Sequence, residues 1–127
     1  MLRSRIAAVV LALLVSVAEV ALASGDPARG RVVFALAGGC GCHTTKAGPI
    51  GAGGSEIATP FGKFFGTNIT SDRDNGLGAW SDAEIDQAIR RGYVRGRGAE
   101  SPVMPYYLYA GMADDDVADL IAFLQTL

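Results

Sequence analysis

Four consecutive residues, Cys40-Gly41-Cys42-His43, hold both cysteines and the only histidine of this 127-residue chain. Thiols and an imidazole ligate metals, and a thiol can add to a vinyl group. The stretch is one residue short of C-x-x-C-H, the c-type haem attachment signature, in which two thiols form thioethers with porphyrin vinyls and the histidine ligates iron. In a helical turn, positions i and i+3 share a face, so C-x-x-C can aim both sulfurs at one porphyrin edge. In C-x-C the two side chains diverge by roughly 200°. Cys42 therefore keeps its normal relation to His43, and Cys40 falls on the other side of the turn.

Haem iron needs a second ligand or an open site. With no other histidine present, methionine is the natural partner, a soft ligand that raises the reduction potential. Met104 lies in a loop between Pro102 and Pro105, where a stiff backbone can present a thioether. Met112 stands just before a helix, where an apolar residue serves as core filler. Met104 is the expected ligand. Pro49 and Ile50 follow His43 closely enough for a backbone carbonyl to accept its Nδ1 proton and fix the ring. Asn68 and Trp80 carry N–H donors suited to haem propionates.

The elements that must position these residues are helices and glycine-rich loops. Asp26-Pro27 is a helix start, an acceptor followed by proline at N1, and that helix is expected to run to about Ala37, where Gly38-Gly39 stops it. Its Gly30 leaves a flat spot for another helix. From Thr44 to Ala79 the chain reads as loop dense in glycine, tolerable in a compact domain if it wraps a large rigid cofactor. Ser81 with Glu84 forms a capping box for a helix to Arg91, with Gly92 just past its end. Tyr93 to Met112 reads as a second loop. A terminal helix begins near Asp114, with Val117, Leu120, Ile121 and Leu124 as a core stripe. No strand pattern of any length is visible, so the expected fold class is all-α.

Length allows one small domain. Arg3 and Arg5, the apolar run Ile6 to Val17 and Ala21-Leu22-Ala23 read together as a secretory signal peptide over residues 1–23, leaving a domain of residues 24–127. The alternative is an uncleaved signal that anchors the protein in a membrane. The remainder carries nine Lys/Arg against twelve Asp/Glu, a balance that offers no nucleic-acid surface. Export would favour disulfides, but a loop closed across one residue removes little unfolded-state entropy, so a cofactor explains the cysteine pair better than a staple does.

Taken in order, Gly25-Asp26-Pro27-Ala28-Arg29-Gly30, Gly38-Gly39-Cys40 with Cys42-His43-Thr44, Thr59-Pro60-Phe61-Gly62-Lys63-Phe64, Asn68-Ile69-Thr70, Gly78-Ala79-Trp80-Ser81-Asp82 and Met104-Pro105-Tyr106 with Tyr109-Ala110-Gly111-Met112 resemble class I cytochromes c. More narrowly, they are similar to the haem domains of cytochrome subunits of periplasmic dehydrogenases. The resemblance spans Gly25 to Leu127. It implies three to five helices wrapped around one covalently attached haem c, ligated by His43 and Met104; the geometry of the shortened motif puts the attachment mainly at Cys42. It also implies a periplasmic one-electron carrier that takes electrons from a dehydrogenase and passes them to an oxidase or another cytochrome, with no enzymatic activity and no small-molecule substrate. Two features depart from the family pattern: the shortened motif, and a single haem site where dehydrogenase subunits usually carry three such domains. The competing readings are a haem-free module in which Cys40, Cys42 and His43 hold zinc or copper, and a five-coordinate haem sensor in which Met104 does not bind.

Overall fold

The Asp26 side chain accepts a hydrogen bond from the Ala28 amide (2.8 Å), and Pro27 occupies the first helical position, which sets the start of α1, Pro27–Leu36. The structure, a computed structural model, describes residues 25–39 and 41–127. The expected signal peptide and Cys40 lie outside the described residues. Among the described residues, no helix is long and apolar enough to cross a membrane.

Helix α1 lies against α4, Asp114–Leu124, and glycine decides how closely. Gly30 is the one buried residue of α1, and a Cβ there would run into the backbone carbonyl of Asp119. Phe34 and Phe123 close the crossing with ring centroids 5.2 Å apart. Asp119 is buried; its Oδ1 accepts from the Asp26 amide (2.6 Å), and its Oδ2 lies 3.0 Å from Arg29 Nε. That second contact pairs opposite charges but lacks hydrogen-bond alignment. Gly30→Ala should therefore destabilise the protein by roughly 2 kcal/mol: forcing the backbones apart costs about 3 kcal/mol, and the helical preference of alanine returns about 1 kcal/mol. Thermal denaturation of the purified protein measures this, and an unchanged midpoint would mean that the helices can separate freely.

Helix α2, Asp82–Arg91, begins with the capping box anticipated from Ser81 and Glu84, in which each side chain bonds the other's backbone amide. The Ser81 amide holds the Glu84 carboxyl below its ordinary pKa. Gly92 ends the helix in the left-handed region, φ 61°. Ile85 and Ile89 of α2 join Val117, Leu120, Ile121 and Leu124 of α4 in one buried cluster, each side chain contributing about 1.5–3 kcal/mol. The stripe read from the sequence is thus the core.

Helices α1, α2 and α4 stand where the sequence places them, but the fold is not all-α. β1 (Glu56–Thr59) and β2 (Gly62–Phe65) form an antiparallel hairpin with Ile57 opposite Phe64. The Thr59 hydroxyl donates to the Gly62 carbonyl (2.9 Å) across the Pro60-Phe61 turn. A shorter hairpin, β3 (Tyr93–Val94) with β4 (Gly98–Ala99), follows α2. A single helical turn, α3 (Tyr106–Tyr109), then leads towards α4. Both segments expected to be loops therefore contain strands. Each strand has four residues or fewer, so the period-2 signal is too brief to stand out among the glycines.

Candidate functional site

His43 is fixed by the chain on both sides of it. Its Nδ1 lies 2.8 Å from the Thr67 carbonyl, and because a carbonyl can only accept, the proton sits on Nδ1 and Nε2 keeps its lone pair. This is the tautomer a metal-ligating imidazole needs. The His43 carbonyl accepts from the Gly53 amide (2.7 Å), and Gly66 packs so closely under the Cys42 carbonyl that any Cβ would overlap it. Glycine at 66 is what lets the Thr67 segment approach.

Pro49 and Ile50 do not play the part expected of them. The Pro49 carbonyl accepts from Ala52 (3.2 Å) within its own turn, and both residues are exposed. The loop folds back through Gly51, whose amide donates to Thr44 Oγ1 (2.9 Å) and whose carbonyl accepts from Ile69. That path points the turn outward and leaves the acceptor role to Thr67. The sequence offered no sign of this, since a backbone carbonyl carries no side-chain signature.

A cavity of about 680 Å³ lies between the β1–β2 hairpin, α2, α4 and the Met104 loop, with Cys42, His43, Asn68, Trp80 and Met104 all among its lining residues. Ile57 and Phe64 line it from the hairpin, and Ile85, Ile89, Leu120 and Leu124 from the core. Met112 packs against the core cluster instead, and its carbonyl accepts from Arg90 Nη1 (3.2 Å). The Met104 loop stands on the end of α2: the Glu100 amide donates to the Gly92 carbonyl (2.6 Å) and the Met104 amide to the Ser101 carbonyl (3.0 Å).

Tyr109 also lines the cavity and ties α3 to the end of α1, its hydroxyl donating to the Ala37 carbonyl (2.8 Å). Burial raises the Tyr109 pKa, and negative charge on the neighbouring Cys42 adds to the effect. Asn68 Oδ1 accepts from both the amide and the hydroxyl of Thr70 (2.8 and 2.7 Å), so only its NH2 remains to meet a ligand. The lining is hydrocarbon, with an imidazole, a thioether and a thiol at chosen points and polar groups gathered in the loops. A flat apolar macrocycle with an iron centre and vinyl edges fits that donor set, and the volume is that of a cofactor site.

The family model for cytochrome c matches residues 27–127. This chain belongs to the cytochrome c family. Cytochromes c are electron carriers with covalently bound haem c. Among its relatives, it is 41% identical over 110 residues to a diheme cytochrome c-type protein of Cereibacter sphaeroides, a match covering 82% of this chain and 37% of that protein. It is 36% identical over 120 residues to the gluconate 2-dehydrogenase cytochrome c subunit of Pantoea cypripedii (90% of this chain, 27% of the subunit). It is 37% identical over 95 residues to the cytochrome c subunit of the quinone alcohol dehydrogenase of Gluconobacter oxydans (75% and 20%). The chain thus spans between a fifth and two fifths of the length of these relatives. It resembles the haem domains of dehydrogenase cytochrome subunits.

Proposed function

We propose that this cytochrome c is a periplasmic mono-haem carrier that accepts single electrons from a dehydrogenase and delivers them to an oxidase or another cytochrome. The observation that carries the reading is the placement of the only histidine and of Met104 in the lining of one apolar cavity, with Cys42 beside them. Bound haem c supplies a one-electron couple. His43 would hold the iron through Nε2, with the hydrogen bond to Thr67 keeping the ring from turning. Met104 offers a thioether, which favours the reduced state. Ile85, Leu120 and their neighbours line the cavity with hydrocarbon, and a histidine–methionine pair would leave the iron no open position for a substrate, so the chain would carry charge without transforming a molecule. The dehydrogenase partner is inferred from relatives that are dehydrogenase cytochrome subunits, and export from the leader-like residues 1–23.

Iron content and the pyridine haemochrome spectrum of protein expressed with its own leader and a haem-attachment system test the reading. One haem per chain is expected. A chain holding zinc or copper with no Soret band would overturn it in favour of a metal module, and two haems per chain would overturn the mono-haem assignment. The intact mass of the exported protein should begin at Ser24; retention of Met1 to Ala23 in a membrane fraction would contradict a soluble periplasmic carrier.

A further inference from the structure

The titratable side chains lining the cavity, among the described residues, are Cys42, His43, Arg97, Glu100 and Tyr109, and Arg97 is the only arginine or lysine among them. Two arginines stand in the turn between β3 and β4, and their employment differs. Arg95 Nη1 donates to the Ala79 carbonyl (2.6 Å) and reaches Glu84 at 3.4 Å, which fastens the hairpin to the start of α2. Among the described residues Arg97 has one charged partner, Glu100 Oε2 at 3.6 Å, too far for a hydrogen bond. Gly96 and Gly98 on either side of it take φ values of 75° and 83°, so the turn can send residue 95 to α2 and residue 97 to the cavity.

A guanidinium has five donors in a fork that matches a carboxylate. One set against a cavity wall with a single distant partner is matched to a carboxylate brought by the ligand. The charged groups on the rim of a haem are its two propionates. Resting on the haem reading above, we propose that Arg97 binds a propionate carboxylate of the cofactor in exchange for Glu100, and that Glu100, left beside that carboxylate, opposes its ionisation. Asn68 and Trp80 are neutral donors and cannot balance the charge.

The test is the reduction potential as a function of pH, measured on the haem-loaded protein. A cation beside the propionate keeps it ionised to lower pH and stabilises the reduced state. Arg97→Gln should therefore lower the potential at pH 7 and move the propionate titration up by about one pH unit, the low end of the range for a carboxyl beside arginine because this arginine is largely exposed. Glu100→Gln should shift both in the opposite direction, and Arg97→Lys should restore most of the effect. Arg95→Gln should lower thermal stability and move neither. If Arg97→Gln takes up no haem, Arg97→Lys and Glu100→Gln carry the test. Profiles of Arg97→Gln and Glu100→Gln that superimpose on the parent profile overturn the proposal, as does a Glu100→Gln shift in the same direction as that of Arg97→Gln. A parent protein without haem refutes the underlying reading instead.

Discussion

Cys42→Ala should release essentially all of the haem to acid-acetone extraction, while Cys40→Ala should leave attachment intact and the spectrum little changed. The reason lies in what occupies the third position before Cys42. In a C-x-x-C-H site that position holds the first sulfur; here it is Gly39. The backbone at Gly39 has φ 45°, and a Cβ there would stand 3.0 Å from the Phe34 carbonyl and 3.4 Å from its ring. A side chain in that place is disfavoured by backbone conformation and by crowding. Cys42, by contrast, is a free and exposed thiol whose residue also lines the cavity. With one thioether formed, one vinyl stays unsaturated, and the reduced haemochrome band should fall between those of two-thioether and unattached haem. Glycine at 38, 39 and 41 gives the opposite outcome a physical route, because it admits positive φ cheaply. A two-thioether band that shifts on Cys40→Ala would show that both sulfurs reach the porphyrin.

The second large effect is expected at Met104. Met104→Ala should abolish the methionine–iron absorption feature near the red end of the oxidised spectrum and lower the potential, since a soft thioether favours the reduced state. Met112→Ala should instead keep the spectrum and cost roughly 2–5 kcal/mol of stability, because Met112 packs against the cluster of Ile85, Ile89 and the α4 stripe. A lost methionine band in the Met112 variant with a normal band in the Met104 variant would exchange the two roles. A high-spin oxidised spectrum in the parent protein would favour the five-coordinate sensor.

The parts of this molecule that side chains specify were legible in the sequence. Asp26-Pro27, Ser81 with Glu84, and Gly92 each mark a helix end by their own chemistry, and the four apolar residues of α4 recur at the helical period. The candidate site residues Cys42, His43 and Met104 stand out in the sequence by type, and all three line one cavity. What escaped was carried by the main chain or by long-range packing. Thr67 serves through its carbonyl and Gly66 through having no side chain, so neither differs in sequence from an ordinary loop residue. Asp119 falls on the face of α4 opposite the apolar stripe and looks like surface charge until α1 is laid against it. The β1–β2 hairpin had one readable cue, proline and glycine within Thr59-Pro60-Phe61-Gly62, a turn signal submerged in a segment dense with other glycines.

Ile85, Ile89, Leu120 and Leu124 belong at once to the hydrophobic core and to the cavity lining. No guest can be seated in the cavity without completing the packing of the same side chains that hold α2 to α4. Folding and cofactor capture are therefore coupled: a group seated there adds contacts that only the native chain can make, and its covalent attachment keeps them. In a cell, where unfolded chains are continuously removed by proteases, a chain that has taken up its cofactor should outlast one that has not.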